Sequence, residues 1–310
     1  MKIGVLAGAR REGYSLDETV QQMAEAESDG LDSYWLPHIS SAGFDALTAL
    51  SLGGRETSRI ELGTAVVPTF PRHPLALAQQ ALTAQVATAG RLTLGIGLSH
   101  QPSIEDSMGL SYERPARHMR EYLSVLRPLL DQGNVGFSGQ VYKVNAELNV
   151  PGASPVPVII AALAPRMLAL AGEVADGTVT WMAGLRAIDT HVTPKIRAAA
   201  EAAGRPPPRV CVALPVAVTD DVSAARERAA RAFERYGQLT NYRRILDVEG
   251  AEGPSEVAVV GDEASIERQV RAFADAGATD FIGSIMPVGD DTARSVERTR
   301  SLLRELVGKV

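Results

Sequence analysis

The sequence predicts a (β/α)8 barrel, and the pattern of its apolar runs carries the prediction. Eight short apolar runs alternate with amphipathic helical segments along the 310 residues. The runs are continuous rather than alternating, as in parallel strands covered on both faces. Eight such units over about 250 residues or more are typical of this barrel. A doubly wound open sheet is the alternative. However, no Gly-x-Gly-x-x-Gly follows the first strand, which argues against a dinucleotide-binding fold.

The elements follow one another in a regular order. The predicted strands cover residues 2–8, 31–37, 60–68, 91–99, 156–163, 177–182, 208–218 and 279–287. The predicted helical segments cover residues 15–30, 44–57, 74–90, 114–132, 165–176, 192–204 and 292–306. In the first segment, apolar residues repeat at helical spacing. Ser15 is a suitable N-cap and Gly30 a C-terminal signal. Pro74 and Pro165 suit the first positions of their helices.

Two segments depart from the alternation. Residues 133–145 place Gly136 and Gly139 among β-forming residues, which predicts a small hairpin. Residues 220–273 are longer than one crossover needs, and predict two or three helices and a loop over 249–262. No linker or low-complexity segment divides the chain. We therefore expect one domain over residues 1–310, with helical and loop insertions, notably between strands seven and eight.

The composition narrows the class of protein. Apolar residues make up 45% and charged residues 22% of the chain, as in soluble enzymes. The net charge of −6 argues against a nucleic-acid partner. The apolar runs are well short of the roughly 18 residues that span a bilayer, so no membrane partner is expected. The N-terminus lacks a signal-peptide pattern, which predicts a mature cytoplasmic protein. The single cysteine, Cys211, lies in a strand-like run and is interpreted as buried and inert.

The active site of such a barrel lies at the carboxyl ends of its strands. Those positions carry no carboxylate pair for a glycosidase and no lysine for a Schiff base, which disfavours a cofactor-free lyase. His38, His73 and His100 are too scattered to predict a metal site. The strand ends are instead small, apolar and aromatic. This character suits a flat cofactor whose own ring performs the chemistry.

A phosphate site is expected to accompany such a cofactor. Residues 161–170 combine small side chains with a predicted helix start at Pro165, where free N–H groups and the helix dipole favour an anion. Arg166 could add positive charge. An ordinary strand-to-helix turn with a solvated Arg166 explains the same pattern, and spacing alone does not separate the two interpretations.

Four blocks of sequence resemble the luciferase-like superfamily, and more closely its branch that uses the deazaflavin coenzyme F420. The blocks are YWLPH, LGTAVVPTFPRHPLALAQQALT, GRLTLGIGLSH and PVIIAALAPRMLALAGEVADGTVTWM. The resemblance extends over essentially the whole chain. It implies an F420-dependent oxidoreductase that transfers hydride between the coenzyme and a small organic substrate. Relatives are often dimers, so it also implies a homodimer.

The resemblance assigns roles to individual residues. His38 would exchange the substrate proton that accompanies hydride transfer. The neighbouring position is often acidic in relatives but is Pro37 here. A non-proline cis peptide is expected near Ala65–Val66, behind the cofactor ring, with Gly97 beside the ring. The cofactor phosphate would be bound by residues of the next two turns: Ala161, Ala162, Leu163, Pro165, Arg166, Met167, Gly177 and Thr178.

The substrate side is expected to be mainly apolar. The predicted lining residues are Trp35, Phe70, Trp181, Met182 and Met286, which suits an apolar or unsaturated substrate. Polar groups are expected in the loop after strand four, at His100, Glu105 and Tyr112. Arg72 and His73 are expected to position their loop or to contact the cofactor edge.

Two further functions stay open at this point. An FMN-dependent monooxygenase of the same fold would use reduced flavin and O2, whereas a deazaflavin transfers hydride and scarcely reacts with O2. A non-catalytic flavin-binding protein would release its cofactor slowly and show no turnover.

Overall fold

The computed structural model describes residues 1–7, 15–39 and 43–310 of the chain. Its strands are β1 Lys2–Leu6, β2 Ser33–Leu36, β3 Glu61–Thr64, β4 Val67–Pro68, β5 Leu92–Gly97, β6 Asn134–Ser138, β7 Lys143–Glu147, β8 Val158–Ala161, β9 Gly177–Trp181, β10 Arg209–Val218, β11 Val259–Gly261 and β12 Asp280–Ile285. All eight predicted strands are present.

The helices alternate with these strands. They are α1 Leu16–Ser28, α2 Ala46–Glu56, α3 Pro74–Ala87, α4 Gln101–Glu105, α5 Pro115–Gln132, α6 Pro165–Val174, α7 Leu185–Ala187, α8 Thr193–Ala202, α9 Val222–Gln238, α10 Thr240–Glu249, α11 Pro254–Val257, α12 Glu263–Asp275 and α13 Thr292–Leu306. A π-helical segment, Ile188–Val192, joins α7 to α8.

The main sheet is that of a (β/α)8 barrel, as predicted. Its strands follow the order β11-β10-β12-β1-β2-β3-β5-β8-β9, and β9 pairs in turn with β10. β1, for example, pairs in parallel with both of its neighbours: Val5 lies opposite Gly283 of β12 and Tyr34 of β2. The strands are buried along most of their length, which explains why they are continuous apolar runs in the sequence.

The predicted helix boundaries have local causes. Ser15 and Glu18 form a capping box, in which the Ser15 N–H donates to Glu18 and the Glu18 N–H donates to Ser15 Oγ. Gly30 follows α1 with a φ of 82°, which a glycine adopts without steric cost. Pro74 and Pro165 are the first residues of α3 and α6, as expected.

Two details of the main sheet differ from the prediction. The third strand is interrupted after Thr64, and β4 resumes beside β5, with Val67 opposite Ile96. The loop predicted over 249–262 contains the short strand β11, which pairs with the end of β10. The predicted hairpin is confirmed, since β6 and β7 pair in antiparallel register. Cys211 is fully buried in β10, as expected.

The described residues fall into two compact units. The first comprises the described residues of Met1–Arg10, Glu25–Trp35 and Ala162–Val310, and the second those of Arg11–Ala24 and Leu36–Ala161. The expectation of one domain over residues 1–310 stays a prediction. Candidate functional residues occur in both units.

Candidate functional site

His38 lies just beyond the carboxyl end of β2, in the second unit, and its side chain is 11% exposed. Both ring nitrogens have close neighbours. The backbone N–H of Ala46, the first residue of α2, donates a hydrogen bond to Nδ1 at 3.2 Å. The Nη1 atom of Arg72 lies 3.3 Å from Nε2. The imidazole is therefore held between the start of a helix and a guanidinium group.

Asp45 connects these two neighbours. Its Oδ1 atom accepts hydrogen bonds from the Thr48 backbone N–H at 2.9 Å and from the Thr48 hydroxyl at 3.0 Å, and so caps α2. Its Oδ2 atom forms an ion pair with Arg72 and lies 3.7 Å from His38 Nδ1. Burial alone would raise the pKa of Asp45, but the hydrogen bonds from Thr48 and the charge of Arg72 lower it overall. Asp45 is therefore anionic at neutral pH.

The same surroundings act on the imidazole. Burial lowers the pKa of His38, and the Arg72 charge lowers it further, while the Asp45 charge partly raises it. The net effect is a pKa below the ordinary value. His38 is therefore neutral at physiological pH and can accept a proton.

The peptide bond between Ala65 and Val66 is cis, as expected. It lies in the interruption between β3 and β4, a part of the chain called here the β3 bulge (residues 65 and 66). The Ala65 N–H donates to the Leu36 carbonyl at 2.9 Å, which joins the bulge to the end of β2, two residues before His38. The role of the bulge behind a cofactor ring stays a prediction.

Gly97 leaves room for the bulge. A Cβ at this position would lie 2.6 Å from Val66 Cγ2 and 3.3 Å from Ala161 Cβ. The absence of a side chain at Gly97 thus follows from packing against Val66. Whether Gly97 and Ala161 also lie beside a cofactor stays a prediction.

An aromatic stack follows the bulge in the second unit. The Phe70 ring is parallel to the His118 ring, with centroids 3.9 Å apart, and stacks on Tyr112 at 5.0 Å. His118 Nε2 lies 3.0 Å from the hydroxyl of Thr69, which is fully buried. Burial lowers the pKa of His118 to about 4, although the Glu121 charge acts in the opposite direction. The neutral imidazole of His118 therefore holds Thr69 through a hydrogen bond and Phe70 through ring stacking.

The loop after β5 brings its polar residues near one another. The Tyr112 hydroxyl donates to the Ser99 carbonyl at 3.3 Å, and burial raises the pKa of Tyr112 to about 12. Glu105 accepts a hydrogen bond from the Tyr112 backbone N–H. His100 immediately precedes α4. No observation assigns a catalytic role to these groups, so the roles considered for them stay predictions.

The predicted phosphate turn lies in the first unit, apart from Ala161. α6 begins at Pro165, and its N-cap residue Ala164 makes no side-chain hydrogen bond to the helix. Ala164 has no polar side chain that could cap the helix, and Pro165 has no backbone N–H. The Arg166 backbone N–H therefore lies at the helix start without a side-chain cap. His191 Nε2 contacts the Leu163 carbonyl at 2.8 Å and so holds the turn from the π-helical segment. The turn fits an anion, because the helix start presents a donor and a positive dipole end.

Gly177 and Thr178, also predicted to bind the phosphate, have structural partners. A Cβ at Gly177 would lie 2.3 Å from the Arg209 carbonyl oxygen of the adjacent strand. The Thr178 hydroxyl donates to the Ala162 carbonyl at 3.3 Å, within the turn. The Thr178 side chain therefore supports the turn by binding the backbone of Ala162. Direct contact of either residue with a phosphate stays a prediction.

The carboxyl end of β9 carries an aromatic group that sequence reasoning identified only in part. Trp181 meets Phe233 and Tyr236 edge to face, with centroids 5.7 and 5.9 Å apart, and Tyr236 meets Tyr242 at 5.0 Å. Phe233, Tyr236 and Tyr242 come from α9 and α10, within the insertion between β10 and β12. No motif marked them, because their relation to Trp181 depends on how that insertion folds back.

The insertion is also hydrogen-bonded to the segment after β9. The carboxylate of Glu249, at the end of α10, accepts hydrogen bonds from the backbone N–H groups of Arg186 at 3.3 Å and Ala187 at 2.7 Å. Gly184 makes this approach possible, since a Cβ there would lie 2.3 Å from Glu249 Cδ. Glu249 therefore satisfies the first N–H groups of α7.

Three of the predicted substrate residues are deeply buried. Trp35 has no exposed surface, and its Nε1–H donates to Ser33 Oγ at 2.9 Å. Met182 is fully buried with a φ of 59°. Met286 packs in a small core with Ala217 and Val260. Contact of these residues with a substrate stays a prediction.

Within the second unit, sequence reasoning underrated Arg72 and overlooked Asp45 and His118. Arg72, expected to position its loop, contacts His38 directly, whereas His73 caps α3 through its Nδ1 atom at 3.2 Å from Leu75 N. Asp45 and His118 carried no expectation. The signal for Asp45 was available, because aspartate is a favoured N-cap residue and Asp45 directly precedes α2. Nothing local marked His118, whose partners lie about 50 residues away along the chain.

Two features are absent from the described residues. Within 1–7, 15–39 and 43–310, no group of three or more His, Cys, Asp and Glu side chains is arranged to hold a metal ion. In the same parts of the chain, no helix is both long enough and apolar enough to cross a membrane.

Comparison with known proteins identifies the family. Residues 1–301 match the family described as luciferase-like monooxygenase, and the chain belongs to that family. An uncharacterized protein of Mycobacterium tuberculosis is 31% identical over 79% of this chain and 77% of its own length. An F420-dependent glucose-6-phosphate dehydrogenase of Kineococcus radiotolerans is 28% identical over 88% of this chain and 83% of its own length.

Solved structures agree on the fold. An F420-dependent secondary alcohol dehydrogenase, solved with an F420–acetone adduct, superposes with a TM-score of 0.80 at 19% identity and covers 99% of this chain and 98% of its own. The oxygenating constituent of 3,6-diketocamphane monooxygenase of Pseudomonas putida, solved with FMN, superposes with a TM-score of 0.78 at 18% identity. The match covers 100% of this chain and 98% of that one. The fold thus occurs with both F420 and FMN.

Proposed function

We propose that the protein is an F420-dependent oxidoreductase acting on a small, mainly apolar or unsaturated organic substrate. One observation carries the proposal: neutral His38 lies two residues beyond the point where the β3 bulge bonds to the end of β2. In this proposal His38 would be a proton acceptor next to the backbone segment that the family resemblance assigns to the cofactor ring. The K. radiotolerans relative supports F420 as the cofactor.

The residues have separate tasks in this proposal. The start of α6 and Arg166 would bind the cofactor phosphate, with His191 fixing the Leu163 carbonyl of the turn. When bound, F420 supplies a ring carbon that accepts or donates a hydride. His38 would exchange the accompanying proton. His38 would take up the hydroxyl proton of an alcohol as it is oxidised to a carbonyl, and would return a proton when a carbonyl is reduced; the coenzyme would accept the hydride in the first case and supply it in the second.

Cofactor binding is the first test. The purified protein is titrated with F420 and, separately, with FMN, and binding is followed by fluorescence. Micromolar F420 binding with negligible FMN binding supports the proposal. Tight FMN binding without F420 binding refutes it and favours the monooxygenase, for which the FMN-containing neighbour is the supporting observation. Consumption of O2 with reduced FMN would then identify that activity.

Turnover is the second test. Oxidation of reduced F420 by simple cyclic enones, and reduction of F420 by simple secondary alcohols, are measured for the wild type and for His38→Asn. We expect His38→Asn to bind F420 normally but to lose roughly 100-fold in turnover. His73→Asn is the matched control, because asparagine still caps α3. Tight F420 binding without turnover of any compound by the wild type would favour a non-catalytic flavin-binding protein.

We also propose that the protein acts as a homodimer, in keeping with the family resemblance. Light scattering coupled to size exclusion measures this directly. A mass near the 32.9 kDa of one chain would contradict it.

A further inference from the structure

We infer that the indole N–H of Trp181 is a hydrogen-bond donor that selects substrates with a neutral acceptor oxygen, such as the carbonyl of an aryl ketone. The rings of Trp181 and Phe233 would hold the planar, unsaturated part of the same molecule. The inference rests on the proposed function for its catalytic meaning, because it narrows the substrate class. Binding of a ketone to this donor is nevertheless measurable without turnover.

Trp181 lies where a barrel of this kind has its active site. It is the last residue of β9, and the active sites of (β/α)8 barrels lie at the carboxyl ends of their strands. The next residue, Met182, has a φ of 59°, which is uncommon for a residue other than glycine. Such conformations cluster at functional sites. The position and the backbone thus both point to a binding role for this segment.

The indole nitrogen of Trp181 is buried without a partner. Among the described residues, no atom accepts a hydrogen bond from its Nε1. Most buried polar atoms in proteins have a hydrogen-bond partner, so this donor is an exception. The other tryptophan, Trp35, shows the ordinary case, since its Nε1–H donates to Ser33 Oγ at 2.9 Å. A ligand oxygen would supply the acceptor that Trp181 lacks.

Two aromatic rings from α9 surround this donor. Phe233 and Tyr236 meet the indole edge to face, and Phe233 also packs against the small core that contains Met286. Burial raises the pKa of Tyr236, while the Arg235 charge and the nearby indole N–H oppose that rise. The Tyr236 hydroxyl is therefore a neighbour of the indole nitrogen, although the two atoms do not have the geometry of a hydrogen bond.

The helix that covers the donor is loosely packed. Within α9, all of which the structure describes, only Ala225 and Ala229 are buried, and both lie in its first half. Phe233 and Tyr236, in the second half, are half-buried. Segments with few buried contacts open at a low cost in free energy. The Tyr236 ring can therefore move aside and admit a ligand oxygen to the indole N–H.

The lining defines the chemistry of the ligand. An indole N–H can only donate, so its partner must carry a lone pair. Aromatic side chains favour planar apolar groups, which stack on them or meet them edge to face. Arg235, the charged residue that acts on Tyr236, is exposed to solvent, and burial of an anion against uncharged rings is costly. A neutral ketone joined to a planar unsaturated group meets all of these conditions.

The test uses NMR of the full chain labelled with nitrogen-15 at tryptophan. The chain has two tryptophans, so two indole signals are expected, and Trp181→Phe assigns them. The probes are acetophenone and α-methylstyrene, which share their shape and planarity but differ in that the second has CH2 in place of the carbonyl oxygen. Each is titrated into the protein alone and into the protein with F420.

We expect acetophenone to move the Trp181 indole proton downfield in a saturable way, and α-methylstyrene to cause no comparable movement. Trp35 is the internal control, because its N–H is already bonded and should respond alike to both probes. By equilibrium dialysis, Trp181→Phe should weaken acetophenone binding roughly fivefold, the range of one neutral hydrogen bond, and leave α-methylstyrene binding unchanged. Tyr236→Phe keeps the covering ring and should retain the downfield shift.

Four results would overturn the inference. They are the absence of a saturable shift with acetophenone under both conditions, equal shifts with both probes, and tighter binding of benzoate than of acetophenone. The fourth is an upfield movement of the free Trp181 signal in Tyr236→Phe as large as the downfield one, because the donor would then already be bonded to Tyr236. A ketone-specific shift in a protein that binds no F420 would refute the proposed function alone, and F420-dependent turnover without that shift would refute this inference alone.

Discussion

Acid sensitivity of folding follows from the buried His118. Its pKa is lowered from 6.5 to about 4, chiefly by burial. At pH 7 the imidazole is neutral in both the folded and the unfolded chain. As the pH falls through 6.5, His118 of the unfolded chain becomes protonated, whereas His118 of the folded chain stays neutral until about pH 4. The unfolded state then binds more protons, so the free energy of unfolding falls with pH.

The magnitude comes from the same shift. A difference of about 2.5 pKa units corresponds to about 3.5 kcal/mol, since each unit is worth about 1.4 kcal/mol. This loss is a large part of a typical stability of about 5–15 kcal/mol. Replacing His118 with phenylalanine keeps a ring against Phe70 but removes the titration. We expect His118→Phe to cost about 1 kcal/mol at neutral pH, because Thr69 loses its partner, and to be less sensitive to acid.

The assay is urea unfolding at pH values between about 7.5 and 4.5, read as the midpoint and slope. Thr69→Val is the control, because it removes the hydrogen bond and keeps the imidazole. We expect it to retain the acid sensitivity of the wild type. If His118→Phe loses stability with acid as steeply as the wild type, the reasoning from burial is wrong.

Three further predictions follow from close approaches and from charge. Gly97→Ala should destabilise the protein by about 1–3 kcal/mol in urea, because the new methyl group meets Val66; normal stability would contradict this. Gly184→Ala should displace Glu249 and lower the melting temperature, whereas Gly253→Ala, with no atom within 4 Å of its Cβ, should not. Arg166→Ala should weaken F420 binding roughly fivefold by fluorescence titration, and equal affinities would remove Arg166 from the phosphate site.

Most of the fold was predictable because its signals are local. Buried parallel strands leave continuous apolar runs, and helix boundaries such as Ser15, Gly30 and Pro165 are set by residues within one turn. The strand β11 was missed for the opposite reason. It has three residues, and its strand character depends on the partner segment of β10, more than 40 positions earlier in the chain.

The candidate site was predictable only where the family resemblance supplied it. His38 and the cis bond at Ala65–Val66 were identified through that resemblance, and the structure contains the bond. The contact between His38 and Arg72 was not predictable. Arg72 lies 34 residues further along the chain, and its contact with the imidazole arises only when the turn after β4 folds against the start of α2.

The bond between Glu249 and the start of α7 has a consequence for how this chain can be recombined. Gly184 and Glu249 are 65 positions apart, yet the absence of a side chain at Gly184 leaves the space that the Glu249 carboxylate occupies. An insertion exchanged with that of a relative would therefore need a glycine at the recipient's position 184 and an acceptor at the end of its own helix. Chimeras cut between the two residues would inherit half of the arrangement. The segment after β9 and the insertion must therefore be exchanged together, although they are separated in sequence.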